Sequence, residues 1–315
     1  MISASLIALD WGTSNLRASL LDRDGRALQS RSAPGGVMAV TDGQFGAALF
    51  ALCGDWIAAH DCPLIASGMV GSRQGWREAP YLECPATLRS AATRLTTLEL
   101  DLIEQPAAQR QLHIAPGLQC LDANGETDVM RGEETQIWGA GLSAGRCCIL
   151  PGTHSKWAWL GNDGEISRFA TFMTGELYGL LTRHGILGRL MQFSTEGEGL
   201  RRDAFVAGVR LGLRGHAQLS HTIFAARTAG LMGRVSAVGL PDYLSGILIG
   251  VEIGAATQAG VPTGDITLIG DDALCLRYEI ALDIQGLPST RALAGTTTRG
   301  QWLLAEAAGL IRPAR

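Results

Sequence analysis

The 315-residue chain is almost devoid of lysine: of its 26 basic residues only Lys156 is a lysine, and the rest are arginine. A genome that favours arginine codons explains the general scarcity but not the place of the exception, which is taken up below. There is no basic tract, and the net charge is only −4 at pH 7. Nucleic-acid binding needs a concentrated positive patch, so that class is disfavoured. No apolar run approaches the roughly 20 residues of a membrane span. Met1 to Ser5 carry no basic region, and the apolar run after them stops at Asp10. That pattern predicts a first core strand rather than a signal peptide. The seven cysteines are odd in number and scattered, with no Cys-x-x-Cys pair. Neither a disulfide framework nor a metal cluster is expected, and the thiols read as reduced and buried in a cytoplasmic protein. Low-complexity linkers are missing too. A chain of this length can hold two cores, so two lobes must join through ordered segments.

What is present is a repeat. Leu9-Asp10-Trp11-Gly12-Thr13-Ser14-Asn15 follows the apolar run Leu6 to Leu9, and Leu150-Pro151-Gly152-Thr153-His154-Ser155-Lys156 follows Cys147 to Leu150. Each copy is succeeded by a second strand-like run and an Asp-Gly turn, Asp24-Gly25 and Asp163-Gly164. A Gly-Thr turn between two strands exposes N–H groups and a hydroxyl at its tip, an array that suits phosphate oxygens. Two such turns, each heading half of the chain, suggest two lobes clamping one polyphosphate. The lone lysine falls in the second turn, where a compact ammonium acts as a point charge on phosphate. Asp10 ends a buried strand, which is costly unless the carboxylate is paired or faces a cation. Beside a phosphate turn, Mg²⁺ held through water is the natural partner; an Asx turn capping a hairpin is the plainer alternative.

Spacing predicts strands at 6–9, 16–21 and 26–31, a helix over 44–59, and a buried strand from Pro63 to Ser67. Residues 68–86 read as a functional loop. The stretch 87–110 contains a helix, or a strand and a helix. A short strand is expected at 112–116 and a helix at 129–141. A second meander covers 146–172, and helices follow at 174–191, 198–211, 219–233 and 241–259. Ile266 to Ile269 reads as a strand, with helices over 272–284 and 294–309. This is an α/β pattern with a sheet in each lobe.

Three further stretches carry polar chemistry. Ile269-Gly270-Asp271-Asp272 is a strand, a Gly turn and an acidic helix start, where a nucleoside can approach the backbone; Asp272 also reads as an N-cap. Glu133 and Glu134 open a helix, where they complement the dipole or accept a proton from a substrate hydroxyl. In Gly68-Met69-Val70-Gly71-Ser72-Arg73-Gln74-Gly75-Trp76, Arg73 offers a fork for a carboxylate, unless the loop is merely solvated. Arg17 and Arg168 are further cations for that role. Thr174 reads as an N-cap or as part of a site.

In this order the pieces resemble the actin-like ATPase superfamily, which includes sugar kinases, acetate kinase and the heat-shock chaperones. Asp10 to Arg17 is similar to its first phosphate motif, Pro151 to Lys156 to its second, and Ile269-Gly270-Asp271 to its adenosine motif. More closely, the chain resembles the 2-dehydro-3-deoxygalactonokinase family nearly end to end. Particular matches are Asp10 to Arg17, Gly68 to Ser72, Met130 to Gln136, Leu150 to Lys156, and Phe172 to Leu177. The resemblance implies a two-lobed actin-like (ribonuclease H-like) fold with duplicated mixed sheets, divided as 1–128 and 129–315. It implies ATP and Mg²⁺, and phosphorylation of 2-dehydro-3-deoxy-D-galactonate at the 6-hydroxyl in galactonate catabolism.

On that reading Gly12, Thr13, Ser14 and Asn15, with Gly152, Thr153, His154 and Ser155, hold the phosphates, and Lys156 neutralises their charge. Asp10 positions Mg²⁺, and Gly270 and Asp271 meet the adenosine. Arg17, Gly71, Ser72, Arg73, Trp76 and Thr174 face the sugar acid. Sugar kinases of this superfamily usually place an Asp base near the connecting helix. Here Glu134 or Glu133 stands there instead, with Asp128 a little upstream. The alternative is a kinase for a related sugar or sugar acid. An ATP-driven switch would need residues for a client-binding or polymer surface, and a sugar-responsive repressor an N-terminal helix-turn-helix; neither is expected. The sequence leaves the oligomeric state open, a homodimer included.

Overall fold

The computed structural model describes residues 4–100, 110–193, 199–258, 260 and 264–312. The first meander is β1 (Ala4–Trp11), β2 (Leu16–Asp22) and β3 (Ala27–Ala33). Then come α1 (Phe45–Ala59), β4 (Leu64–Ser67), β5 (Tyr81–Glu83), α2 (Leu88–Ala92), β6 (Thr96–Leu100), β7 (Arg110–Ile114), β8 (Gly117–Leu121), β9 (Thr127–Met130) and α3 (Glu133–Ala140). The second meander is β10 (Cys147–Leu150), β11 (Ser155–Leu160) and β12 (Ile166–Phe172). Helices α4 (Thr174–Arg183), α5 (Arg202–Arg214), α6 (Leu219–Thr222), α7 (Ala225–Leu231) and α8 (Leu240–Gln258) follow. The chain ends with β13 (Ile266–Leu268), α9 (Asp272–Gln285), β14 (Ser289–Arg291) and α10 (Thr296–Ala307).

The sheets repeat one plan. In the first, ordered β3-β2-β1-β4-β7-β6, β1 is antiparallel to β2 and parallel to β4. In the second, ordered β12-β11-β10-β13-β14, β10 is antiparallel to β11 and parallel to β13. The central strands are apolar without alternation because both faces are covered: β4 and β10 are buried at every position. A third sheet, β5-β8-β9, was not foreseen; its strands are short and half polar.

Local differences from the expected elements have local causes. The helix expected over 129–141 is a strand to Met130 and a helix from Glu133, divided by Gly132 at φ +109°. The expected helix 174–191 stops at Arg183 and gives way to a 3₁₀ turn over Ile186–Leu190. The stretch 219–233 is two short helices. Residues 87–100 are a helix and then a strand. The remainder of that stretch, 101–109, and the expected helix ends at 198 and 259 lie outside the described residues.

By contact density the chain forms two compact units. One comprises 1–144, 160–168 and 293–315, and the other 145–159 and 169–292. This division counts α3 and α10 with the first unit, whereas the order of motifs suggested a boundary at 128/129. The reason lies in packing. A Cβ on Gly139 would fall 1.8 Å from the Thr296 carbonyl, and one on Gly300 1.9 Å from that of Thr135, so α3 and α10 touch backbone to backbone. In the second unit α5 and α8 touch in the same way, Gly208 and Gly212 of α5 lying against α8 backbone and Gly246 and Gly250 of α8 against α5 backbone. Among the described residues no helix is long and apolar enough to cross a membrane.

Candidate active site

In the first unit β1 and β4 run parallel with Asp10 level with Ser67, and β4 and β7 with Ala66 level with Ile114. The carboxyl ends of parallel strands are where open α/β sheets take ligands. The Gly12–Asn15 turn closes with the Gly12 N–H donating to the Asn15 carbonyl at 3.0 Å, and it leaves Thr13, Ser14 and Asn15 exposed. A second segment braces it. Val37 N–H donates to the Gly12 carbonyl, Met38 N–H to that of Thr13, and Trp11 Nε1 to that of Gly35. A Cβ on Gly36 would lie 2.3 Å from Ser14 N, so only glycine fits.

The Asp10 side chain is 27% exposed, with Arg17 Nη1 3.2 Å from Oδ2. Burial holds its carboxyl above the ordinary range, against the pull of Arg17. Gly68, at φ +93°, passes so close that a Cβ would stand 2.8 Å from the Trp11 carbonyl. Gly132 in turn packs on Gly68, a Cβ there lying 3.2 Å from its Cα. The start of α3 therefore abuts the Asp10 edge. Glu133, half-buried, accepts from the Arg131 N–H at 3.0 Å. Glu134 is enclosed. Both of its oxygens accept from the Gly132 N–H, at 2.9 and 2.7 Å, and Thr135 Oγ1 donates to Oε1 at 3.1 Å. Burial, with the neighbouring Glu133 charge, pushes the Glu134 carboxyl up to about 7. From α10, Gln301 Nε2 donates to the Leu9 carbonyl and to Ser67 Oγ, tying β1 to β4 beneath the site.

The 68–76 loop divides. Gly71 and Ser72 are buried. Trp76 stacks on Phe45 at 6.0 Å and meets Trp11 edge-on, so it anchors the loop to the core. Arg73 is 85% exposed beside Glu78 and lies outside this packing. Arg17 is also largely exposed.

In the second unit the start of α4 braces the Pro151–His154 turn. Glu176 N–H donates to the Thr153 carbonyl at 2.9 Å, and a Cβ on Gly175 would lie 2.4 Å from that of Gly152. Thr153 and His154 are exposed, and His154 Nε2 sits 2.5 Å from Glu176 Oε2. Lys156 is buried within β11, its Nζ donating to Thr171 Oγ1 at 2.6 Å, so it is no surface residue. Gly270 lies beside Pro151, a Cβ there falling 3.4 Å from its carbonyl oxygen. Asp271, rather than Asp272, caps α9 by accepting from the Ala273 and Leu274 N–H groups. Thr174 is not a cap: Met173 holds that position, and the Thr174 hydroxyl donates to Glu252.

Glu252 itself was not foreseen. Apart from Asp242 in the first turn it is the one acid of the apolar helix α8, and an acid in the middle of that apolar run is the signal that could have found it. Trp157 Nε1 and Tyr278 OH donate to it at 2.8 and 2.6 Å. Since Tyr278 spends its proton there, Ser155 Oγ, 2.8 Å away, donates to the phenol oxygen. The second turn is thus tied to an enclosed carboxylate whose pKa burial raises. A cavity of about 130 Å³ opens beside Gly152, with Tyr178, Leu248, Leu274 and Arg277 among its walls. A larger, more open hollow of about 640 Å³ between α5 and α9 contains none of these motifs.

Comparisons with known proteins identify the family and the fold. A family model described as 2-keto-3-deoxy-galactonokinase matches residues 10–304. The 2-dehydro-3-deoxygalactonokinase of Escherichia coli (strain K12) is 35% identical over 297 residues, covering 94% of this chain and 95% of its own. The crystal structure of a Sinorhizobium meliloti protein assigned as a 2-dehydro-3-deoxygalactonokinase superposes with a TM-score of 0.85 at 35% identity, covering 98% of this chain and all of its own. The xylulose kinase of Lactobacillus acidophilus shares the actin-like fold, with a TM-score of 0.51 at 11% identity, covering 98% of this chain and 90% of its own. With paired Gly-Thr turns on duplicated sheets and a family match over nearly its whole length, the chain belongs to the 2-keto-3-deoxy-galactonokinase family.

Proposed function

We propose that this kinase transfers the γ-phosphoryl group of ATP to the 6-hydroxyl of 2-dehydro-3-deoxy-D-galactonate, a step of galactonate catabolism in the cytoplasm. Phosphoryl transfer demands alignment and charge neutralisation more than covalent help. The exposed tip Thr13–Asn15 offers phosphate contacts in the first unit and Thr153–His154 in the second, and the cavity beside Gly152 takes the nucleoside. Of the two acids that open α3, Glu133 is the one solvent reaches. It therefore accepts the proton as the sugar oxygen bonds to phosphorus and the bond to ADP breaks. Glu134, enclosed behind it, holds the helix start in place.

The donor set fits Mg²⁺. Asp10 is a partly buried carboxylate held above its ordinary pKa, which a cation would relieve. Among the described residues no group of three or more His, Cys, Asp or Glu gathers to form a cage. Mg²⁺ does not need one, because it is commonly bound by one or two carboxylates with water and substrate phosphates. Asp10 would hold it through water, and the ion would supply charge neutralisation at the phosphates.

The observation that carries this reading is the Asp10 edge, where a phosphate turn and an acidic helix start meet through Gly68 and Gly132. The test is a coupled ADP-release assay over a panel of keto sugar acids and neutral sugars. Turnover confined to neutral sugars overturns the substrate, and no turnover with any compound overturns the kinase reading.

A further inference from the structure

Arg131 stands between β9 and α3, two residues before Glu133. It is only 8% exposed. Its guanidinium lies 4.2 Å over the Tyr81 ring, and Nη2 donates to the Ala79 carbonyl at 2.8 Å. Nε and Nη1 are buried with no hydrogen-bond partner, and no ion pair among the described residues engages the side chain. A guanidinium cannot shed its proton to escape that cost. One bond to a carbonyl and one aromatic face explain how it is held, not why a permanent charge is kept there with two donors unspent.

A second orphan lies close by in the fold. Ser72 Oγ is buried and also without a partner. Its neighbour Gly71 packs directly on the guanidinium, so that a Cβ would lie 3.0 Å from Nη1 and 2.9 Å from Ile114 Cγ2. Unspent donors from a loop and from a helix entrance thus gather at the carboxyl end of β7, on the same sheet edge as Asp10. What they share is an unmet demand for an acceptor, and beside a fixed positive charge an anion meets it best.

We propose that Arg131, with Ser72, forms the subsite for the carboxylate of the sugar acid. This rests on the substrate class proposed above and places the acid-binding charge at Arg131 rather than at the exposed Arg73. The two ends of the substrate then find their partners on either side of Gly132: the acid at Arg131 and the terminal hydroxyl at Glu133. Because the orphan groups are covered, entry of the acid requires the Gly71–Ala79 segment to shift.

The test compares the keto acid with its uncharged C1 amide. Wild type should prefer the acid by at least about a thousandfold in kcat/KM, as when a site built around a polar group loses its partner. Arg131→Gln should raise KM for the acid at least about a hundredfold, leave KM for ATP unchanged, and collapse the acid-over-amide preference to about tenfold or less. Ser72→Ala removes a hydroxyl that bonds nothing here, so it should fold normally yet weaken the acid about fivefold and spare the amide. It decides the matter if Arg131→Gln does not fold. Full acid preference in either variant overturns the subsite, as does a preference that falls with Arg73→Ala and not with Arg131→Gln. Equal wild-type turnover of acid and amide also overturns the subsite while leaving the kinase intact; turnover of neither compound overturns the substrate reading itself.

Discussion

The two Gly-Thr turns occupy equivalent places in equivalent sheets, yet they are built differently. Opposite each other across the first hairpin stand Asp10 and Arg17; across the second stand Leu150 and Lys156. The first turn keeps a partly exposed ion pair, and its brace is a bare stretch of backbone around Gly36. The second has no acid at its strand end. Its lysine is buried against Thr171, its brace is the start of α4, and its Ser155 leads to the enclosed Glu252. The same strand-turn-strand plan thus presents a partly exposed carboxylate in one unit and a hydrogen-bonded turn without one in the other. A duplicated fold holds the geometry, and the residues at the strand ends differ.

The contrast can be broken most forcefully at Asp10. Asp10→Asn should cut kcat by about 10²- to 10³-fold at saturating Mg²⁺, the scale of losing one electrostatic stabiliser, with little change in Tm. Asp10→Asn turnover near wild type would show that the acid distinguishing the first turn is idle.

The enclosed Glu134 makes a prediction about pH. Its folded pKa of about 7 lies above the ordinary 4.5, so the folded state holds a proton that the unfolded state releases. Stability should therefore fall as pH rises from about 4.5 to about 7 and level off beyond, by up to about 3 kcal/mol. Glu134→Gln should flatten that slope in denaturant titrations at pH 5, 6, 7 and 8. An unchanged slope would mean that the carboxyl is not strained by burial.

The braces can be compared next. Gly36→Ala and Gly175→Ala each drive a Cβ into turn backbone. Gly175→Ala should raise KM for ATP about tenfold, whereas Gly36→Ala should act mainly on kcat, since misplacing reacting groups costs rate. Steady-state kinetics separate the two, and identical profiles would erase the proposed division of labour. The smallest effect is expected at Lys156. Lys156→Met removes a buried bond to Thr171 and should cost about 1 kcal/mol in urea unfolding, with a few-fold rise in KM for ATP.

Much of this was legible in the chain because it is written in short range. Apolar runs ending at Asp10 and Leu150, Asp-Gly turns and Gly-Thr tips specify two meanders without reference to anything distant. The third sheet was not legible: Tyr81–Glu83 and Thr127–Met130 are too short and too polar to show a period. Gly132 was read within a helix because its backbone angle is invisible in composition. The choice of Arg73 for the carboxylate followed from its place in a Gly-rich loop, yet the burial of Arg131 depends on Ala79 and Tyr81, some fifty residues away.

By itself, then, the sequence determined the repeat, the α/β plan, the family and the positions of the two Gly-Thr turns, because periodicity and turn chemistry act between near neighbours. Only the tertiary structure decided which acid at α3 meets solvent, that Lys156 is enclosed, that Glu252 anchors the second turn, and that Arg131 and Ser72 are left with unspent donors. Burial and pairing belong to whatever the fold brings alongside a side chain, and a linear sequence does not contain that distance.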